Sequence, residues 1–178
     1  IYPDQFGVFR TQAIQAPSTN PYVVHYTTEH EPRYILPPWR PTTQALQQPN
    51  RVAIVTEDPA QPIAAVVRVN NDPTSVMSIV SRGYEDSVDV DGAHMVDDDV
   101  RELIADWHLQ VAAAHAITAS LLTTMDPRRR NHEVYQLEIE NRENHTRWIV
   151  FGWTMRLEPG GIMTHRIGRV DPLNLEDE

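Results

Sequence analysis

Residues 97–125 hold the one sustained helical period in the chain. Val100, Ile104, Trp107, Val111, Ala114, Leu121 and Met125 recur at the spacing that gathers side chains on one helix face. Asp97, Asp98 and Asp99 stand at its start. There a carboxylate caps free backbone N–H groups and meets the positive end of the helix dipole. Asp126-Pro127 stops it, because proline has no N–H to continue the ladder. Arg128, Arg129 and Arg130 follow at the negative end, where cations are favoured. Between 111 and 122 nearly every position is apolar or small, which predicts burial on more than one side. The pattern predicts one long central helix over residues 97–125 that buries Trp107, Val111, Ala114 and Leu121.

Strands are expected on both sides of it. Three β-branched runs, 51–56, 63–69 and 75–80, are separated by turn sequences at 57–62 and 70–74. An acidic loop follows at 81–96. After the helix, residues 132–141 alternate, with Tyr135, Leu137 and Ile139 on one face. Residues 147–157 alternate as well, through Ile149, Phe151 and Trp153. Keeping these faces together pairs Ile139 with Ile149, Leu137 with Phe151 and Tyr135 with Trp153, leaving a loop at 142–146. A turn at 158–161 leads to a last strand at 162–170. The expected fold class is therefore α+β: two three-stranded antiparallel β-meanders around one long central α-helix.

An extended N-terminal arm is expected at 1–50, a globular domain at 51–170 and a polar tail at 171–178. Residues 1–50 hold 8 of the 14 prolines, which removes backbone donors and blocks helix. They also hold seven aromatic residues, Tyr22, Tyr26, Tyr34 and Trp39 among them, which separates the segment from a simple linker. Fully extended, it reaches about 165–180 Å. It can wrap its own domain or dock on a neighbour.

What the chain lacks excludes whole classes of chemistry. It has no Cys, so thiol catalysis and cysteine-ligated zinc are ruled out. All 15 basic residues are Arg, so the lysine of a phosphate-binding loop, of a pyridoxal Schiff base or of a kinase strand is ruled out too. A net charge of −10 argues against broad nucleic-acid binding. No apolar run reaches membrane-spanning length. The start at Ile1 reads as a processed product or as part of a longer chain.

Several local constellations are candidates for chemistry. Asp89, Asp91 and Gly92 occupy the third, fifth and sixth places of a calcium-loop pattern, and Asp98 the twelfth. Ser87 replaces the first aspartate, so a solvated acidic loop that caps the helix is the competing reading. His108 and His115 share a helix face but lie about 10.5 Å apart along it, too far to chelate one ion. Arg128, Arg129 and Arg130 could touch a phosphate; dipole compensation is the simpler account.

Gln136-Leu-Glu138-Ile-Glu140, with Arg10 and the hydroxyls of Thr42 and Thr43, loosely resembles mono-ADP-ribosyltransferases. Those enzymes use an early Arg, a Ser-Thr-Ser strand and a Gln/Glu-x-Glu pair; the Ser-Thr-Ser strand is missing here. The resemblance implies a transferase acting on a nucleotide through Glu138 and Glu140. The same carboxylates could serve a hydrolase. Alternating strand polarity accounts for both glutamates without any chemistry.

No convergent catalytic set emerges, and the sequence predicts a non-enzymatic structural or assembly protein without a cofactor. A viral capsid or capsid-decorating subunit, located in the virion, is the expected role. It would bind other subunits of a homo- or hetero-oligomer through its arm and sheet faces. Aromatic and arginine side chains anchor such contacts, which selects Tyr22, Tyr26, Tyr34, Trp39, Arg40 and Trp148 as interface candidates.

Overall fold

Strand, not helix, dominates this chain. The computed structural model describes residues 2–3, 9–10, 16–28, 35–36, 39–44, 47–55, 65–92, 97–139, 143–170 and 175–177. The N-terminal part contains β1 (Tyr2–Pro3), β2 (Phe9–Arg10), β3 (Tyr22–Thr27), β4 (Ile35–Leu36) and β5 (Pro41–Thr43). Next come β6 (Arg51–Val55), β7 (Val66–Asn70), a short helix α1 (Ile79–Arg82), β8 (Ser87–Asp91) and helix α2 (Asp98–Ala116). The chain continues with β9 (Ile117–Thr124), β10 (Val134–Ile139), β11 (Glu143–Met155), β12 (Ile162–Val170) and β13 (Leu175–Asp177).

β1 and β2 pair with each other. The other strands form two sheets. The larger runs β3-β10-β11-β12-β9-β4, and β5 also pairs with β9. Its β3–β10 pairing is parallel and the rest are antiparallel. The smaller runs β13-β7-β6-β8, with β6 and β8 parallel.

This architecture overturns two meanders around one long helix. Helix α2 starts where predicted, with the Asp97 carboxylate accepting from the Asp99 N–H at 3.0 Å. It ends at Ala116, because Ile117 is already extended at φ −125°, ψ 102°. Residues 117–124 satisfy a second period as well as the first. Ala119, Leu121 and Thr123 are buried while Ser120 and Thr124 are exposed, the alternation of a strand with one covered face. Pairing with β12 settles the competition in favour of strand. Residues 75–80 are not a strand either. Ser75 and Ser78 take turn and cap roles, and the Ser78 hydroxyl accepts from the Ser81 N–H to start α1. The place beside β6 goes to β8, drawn from the stretch read as an acidic loop.

The β10–β11 register also differs. Tyr135 faces Trp148 and Leu137 faces Thr146, so β11 begins at Glu143, inside the expected loop. The reason is burial on both faces. Trp148, Ile149 and Val150 are all 0–1% exposed, so alternation could not say which face was the inner one.

The large sheet curls. Val24 and Tyr26 from β3 and Ile35 from β4 join one core with Leu121, Tyr135, Leu137, Trp148, Val150 and Ile167. Helix α2 packs on the outside of this sheet and against the small sheet. Its first half sets Ala105 and Leu109 against Val52 and Ile54; its second half sets Ala114 against Ile149 and Val170. Trp107 and Val111 are only half-buried. Arg68 of β7, paired with Val52 in the same small sheet, binds the helix as well, 3.0 Å from Asp106 and 2.9 Å from Glu102.

The described segments within 16–44 lie on the chain's own sheet. β3, β4 and β5 are hydrogen-bonded there, and the Arg147 guanidinium donates to the carbonyls of Ser18 and Asn20. β13, from the predicted tail, pairs with β7. The turn at 57–62 lies outside the described residues.

Candidate functional site

An open groove of about 620 Å³ crosses the large sheet. Three strands line it: β9 through Thr118, Ala119 and Ser120, β11 through Gly152, Trp153 and Thr154, and β12 through Thr164, His165 and Arg166. Arg40 and Thr42 complete the lining. Between β4 and β5, Trp39 turns into the core, where its ring meets Trp148 edge-on at 5.1 Å, while Arg40 stays exposed. Among the described residues the lining contains two guanidinium groups, several hydroxyls and no carboxylate. Among the described residues neither Arg40 nor Arg166 has an ion-pair partner.

His165 lies at the floor of the groove and is fully buried. Its Nε2 is 2.9 Å from the Thr123 hydroxyl and its Nδ1 is 3.3 Å from the Tyr135 hydroxyl. The Thr123 hydroxyl also lies 3.0 Å from the carbonyl of Thr124. Each ring nitrogen thus faces a hydroxyl, which both donates and accepts, and either neutral tautomer keeps both contacts. Burial, helped by the positive charge of Arg129, lowers the pKa of His165 to about 4. Burial pushes the Tyr135 hydroxyl up. Both groups are neutral at physiological pH, which suits a structural hydrogen-bond network in a low-dielectric interior.

The predicted chemical residues fall in separate places. Asp89 and Asp91 are exposed on edge strand β8, and Asp98 is in the first turn of α2. His94 lies outside the described residues. Among the described residues no three His, Asp or Glu side chains are grouped so as to hold a metal ion. His108 and His115 sit half-buried along α2, their pKa lowered by burial; His115 stacks on Phe151 at 3.7 Å. Glu138 is 3.2 Å from His25 across the β3–β10 pairing. Thr42 and Thr43 are exposed on β5, Arg10 is in β2, and Glu140 lies outside the described residues.

Of the consecutive arginines, Arg128 and Arg129 share the carboxylate of Asp126. Arg128 forms a two-point pair with Asp126, at 2.8 and 3.0 Å, and Arg129 lies 3.2 Å from the same carboxylate. The Arg128 hydrogen bond brings the pKa of Asp126 down to about 2. Arg130 is exposed.

No known family and no curated protein matches the sequence. Solved structures do. The 43 kDa tail protein of prophage MuSo2 from Shewanella oneidensis superposes with a TM-score of 0.50 at 9% identity, covering 86% of this chain and 46% of that one. The tail protein from Neisseria meningitidis MC58 gives 0.49 at 13% identity, covering 88% and 46%. This chain thus spans about half the length of these structures. At such identity the Shewanella match speaks for a shared fold.

Of the interface candidates, Tyr26, Trp39 and Trp148 are in the chain's own core. Tyr22 and Arg40 are exposed, and Tyr34 lies outside the described residues. Val23, beside Tyr22 on β3, is half exposed as well. Sequence reasoning missed His165 and the groove. The one available signal was a histidine in the apolar register of a strand, between Met163 and Ile167. The groove has no local signature, since its lining runs from residue 40 to residue 166.

Proposed function

We propose that this chain is a structural subunit of a phage-like virion, placed in the tail, that works by joining other protein subunits and carries no catalytic activity. The observation behind this reading is the fold it shares with a prophage tail protein over 86% of its length. The sequence pointed to a capsid or capsid-decorating subunit; the shared fold favours the tail as the place of assembly. Strand β3 is a suitable contact. It is at one end of the large sheet and presents Tyr22 at 52% and Val23 at 50% exposure. Exposed apolar side chains at the end of a sheet favour contact with a second chain. At the edge of the small sheet, β8 carries Asp89 and Asp91, charges that discourage such contact.

Light scattering on the purified chain, together with antibody labelling of particles from a producing cell, tests the reading. A concentration-dependent oligomer and label confined to tails are expected. A monomer at every concentration with no label on particles would overturn it.

A further inference from the structure

We propose that the groove between Arg40 and Arg166 is a binding site for an acidic peptide segment, whose carboxylates the two guanidinium groups take. Charge distribution is the first argument. The chain carries a net charge of −10, yet among the described residues no Asp or Glu lines this groove and two exposed arginines do. Every other arginine named above as an ion-pair member has its carboxylate within the chain; Arg40 and Arg166 have none among the described residues. Guanidinium groups favour planar, two-point partners, which is what a carboxylate offers.

Hydrogen-bond polarity is the second argument. The hydroxyls of Thr42, Thr118, Ser120 and Thr164 line the groove together with the arginines. Guanidinium and hydroxyl groups both donate, so an acceptor-rich ligand is favoured. Peptide carbonyls and side-chain carboxylates together supply such acceptors. Size is the third argument. At about 620 Å³, spread over four strands, the groove is far larger than one inorganic anion and fits a few residues of extended chain.

The proposal goes beyond the assembly reading and does not rest on it, since a single isolated chain can be tested. Fluorescence anisotropy is measured with fluorescein-labelled hexaglutamate, and with hexaglutamine and inorganic phosphate as comparison arms. A protein this acidic repels polyglutamate, so nonspecific attraction is not a source of signal. Hexaglutamate is expected to bind with an affinity that falls as salt rises. Arg40→Gln with Arg166→Gln should weaken it about tenfold or more, while Arg156→Gln, away from the groove, leaves it unchanged.

Absence of hexaglutamate binding by the wild-type chain overturns the proposal, whatever the variants do. So does equal binding of hexaglutamine, or an affinity that the double variant leaves intact. Displacement of hexaglutamate by equimolar phosphate would make this a small-anion site and overturn the peptide assignment. Failure of the peptide assay leaves particle labelling unaffected, and the reverse holds too.

Discussion

The Nε2 nitrogen of His165 lies 2.9 Å from the Thr123 hydroxyl, joining β12 to β9 inside the curled sheet. The Tyr135 hydroxyl lies 3.3 Å from Nδ1, so each ring nitrogen faces a neutral hydroxyl. Burial among such partners penalises the charged ring and holds His165 neutral.

Stability should fall as pH drops from about 6.5 to about 4. The unfolded chain takes up a proton near 6.5, whereas folded His165 resists it until about 4. The contribution of neutral His165 is thus complete above 6.5 and lost across that window, amounting to about 3 kcal/mol. His108 and His115, also lowered by burial, act in the same direction. Asp126 works at lower pH: its pKa falls from 3.8 to about 2, so its contribution is lost only below 3.8. Urea midpoints across pH should show the first loss in the wild type and a flatter profile in His165→Gln. An identical slope in the variant would remove His165 as the cause.

Gly168→Ala should destabilise the fold by about 1–3 kcal/mol. A Cβ at this position would be driven into the Ala114 carbonyl and the Phe151 ring, where α2 crosses β12. Trimming the ring should rescue little, because the backbone carbonyl remains. Gly152→Ala is the contrast: a Cβ there meets nothing within 4 Å, so it should stay within about 0.5 kcal/mol of wild type. Thermal denaturation of the two variants and of Gly168→Ala with Phe151→Ala checks all three statements.

Arg68 should couple to Asp106 by about 0.5–3 kcal/mol in a double-mutant cycle. Its side chain is 11% exposed and reaches two carboxylates one helical turn apart on α2. Arg68→Lys keeps the charge but loses the planar fork, so it should recover only part of the cost of Arg68→Ala. Denaturant unfolding of the single and double variants measures the coupling. Additivity of Arg68→Ala and Asp106→Ala would mean that the pair does not bind helix to sheet.

The start of α2 could be read from the chain because three aspartates act locally, on N–H groups within a turn. Its end could not, because residues 117–124 fit helical and strand periods equally and only the distant β12 decides between them. β6 and β7 were legible as short apolar runs. β8 was hidden by composition: an edge strand tolerates Asp89 and Asp91 on the solvent side, so it reads as loop. The candidate site was the least legible part. Arg40 and Arg166 are brought to one groove by strand pairing alone, and no spacing rule links them.

Trp39→Ala should cost about 3–5 kcal/mol, or free the segment around it, depending on how the loss is divided between the sheet and its N-terminal cover. The ring is 7% exposed and meets Trp148 at 83° and 5.1 Å, the edge-to-face arrangement aromatic pairs prefer. Among the described residues β4 pairs Ile35 and Leu36 with β9 and β5 pairs three residues, a short run of backbone hydrogen bonds. The buried ring adds to this fastening of β4 and β5. Limited proteolysis should cut Trp39→Ala between residues 39 and 44 under conditions in which the wild type is not cut there, and Trp39→Phe should be intermediate. If cleavage there is unchanged while global stability falls, Trp39 serves the core and not the fastening. Because Arg40 follows it directly, the freed variant should also lose the groove, and hexaglutamate binding should weaken even though both arginines are present.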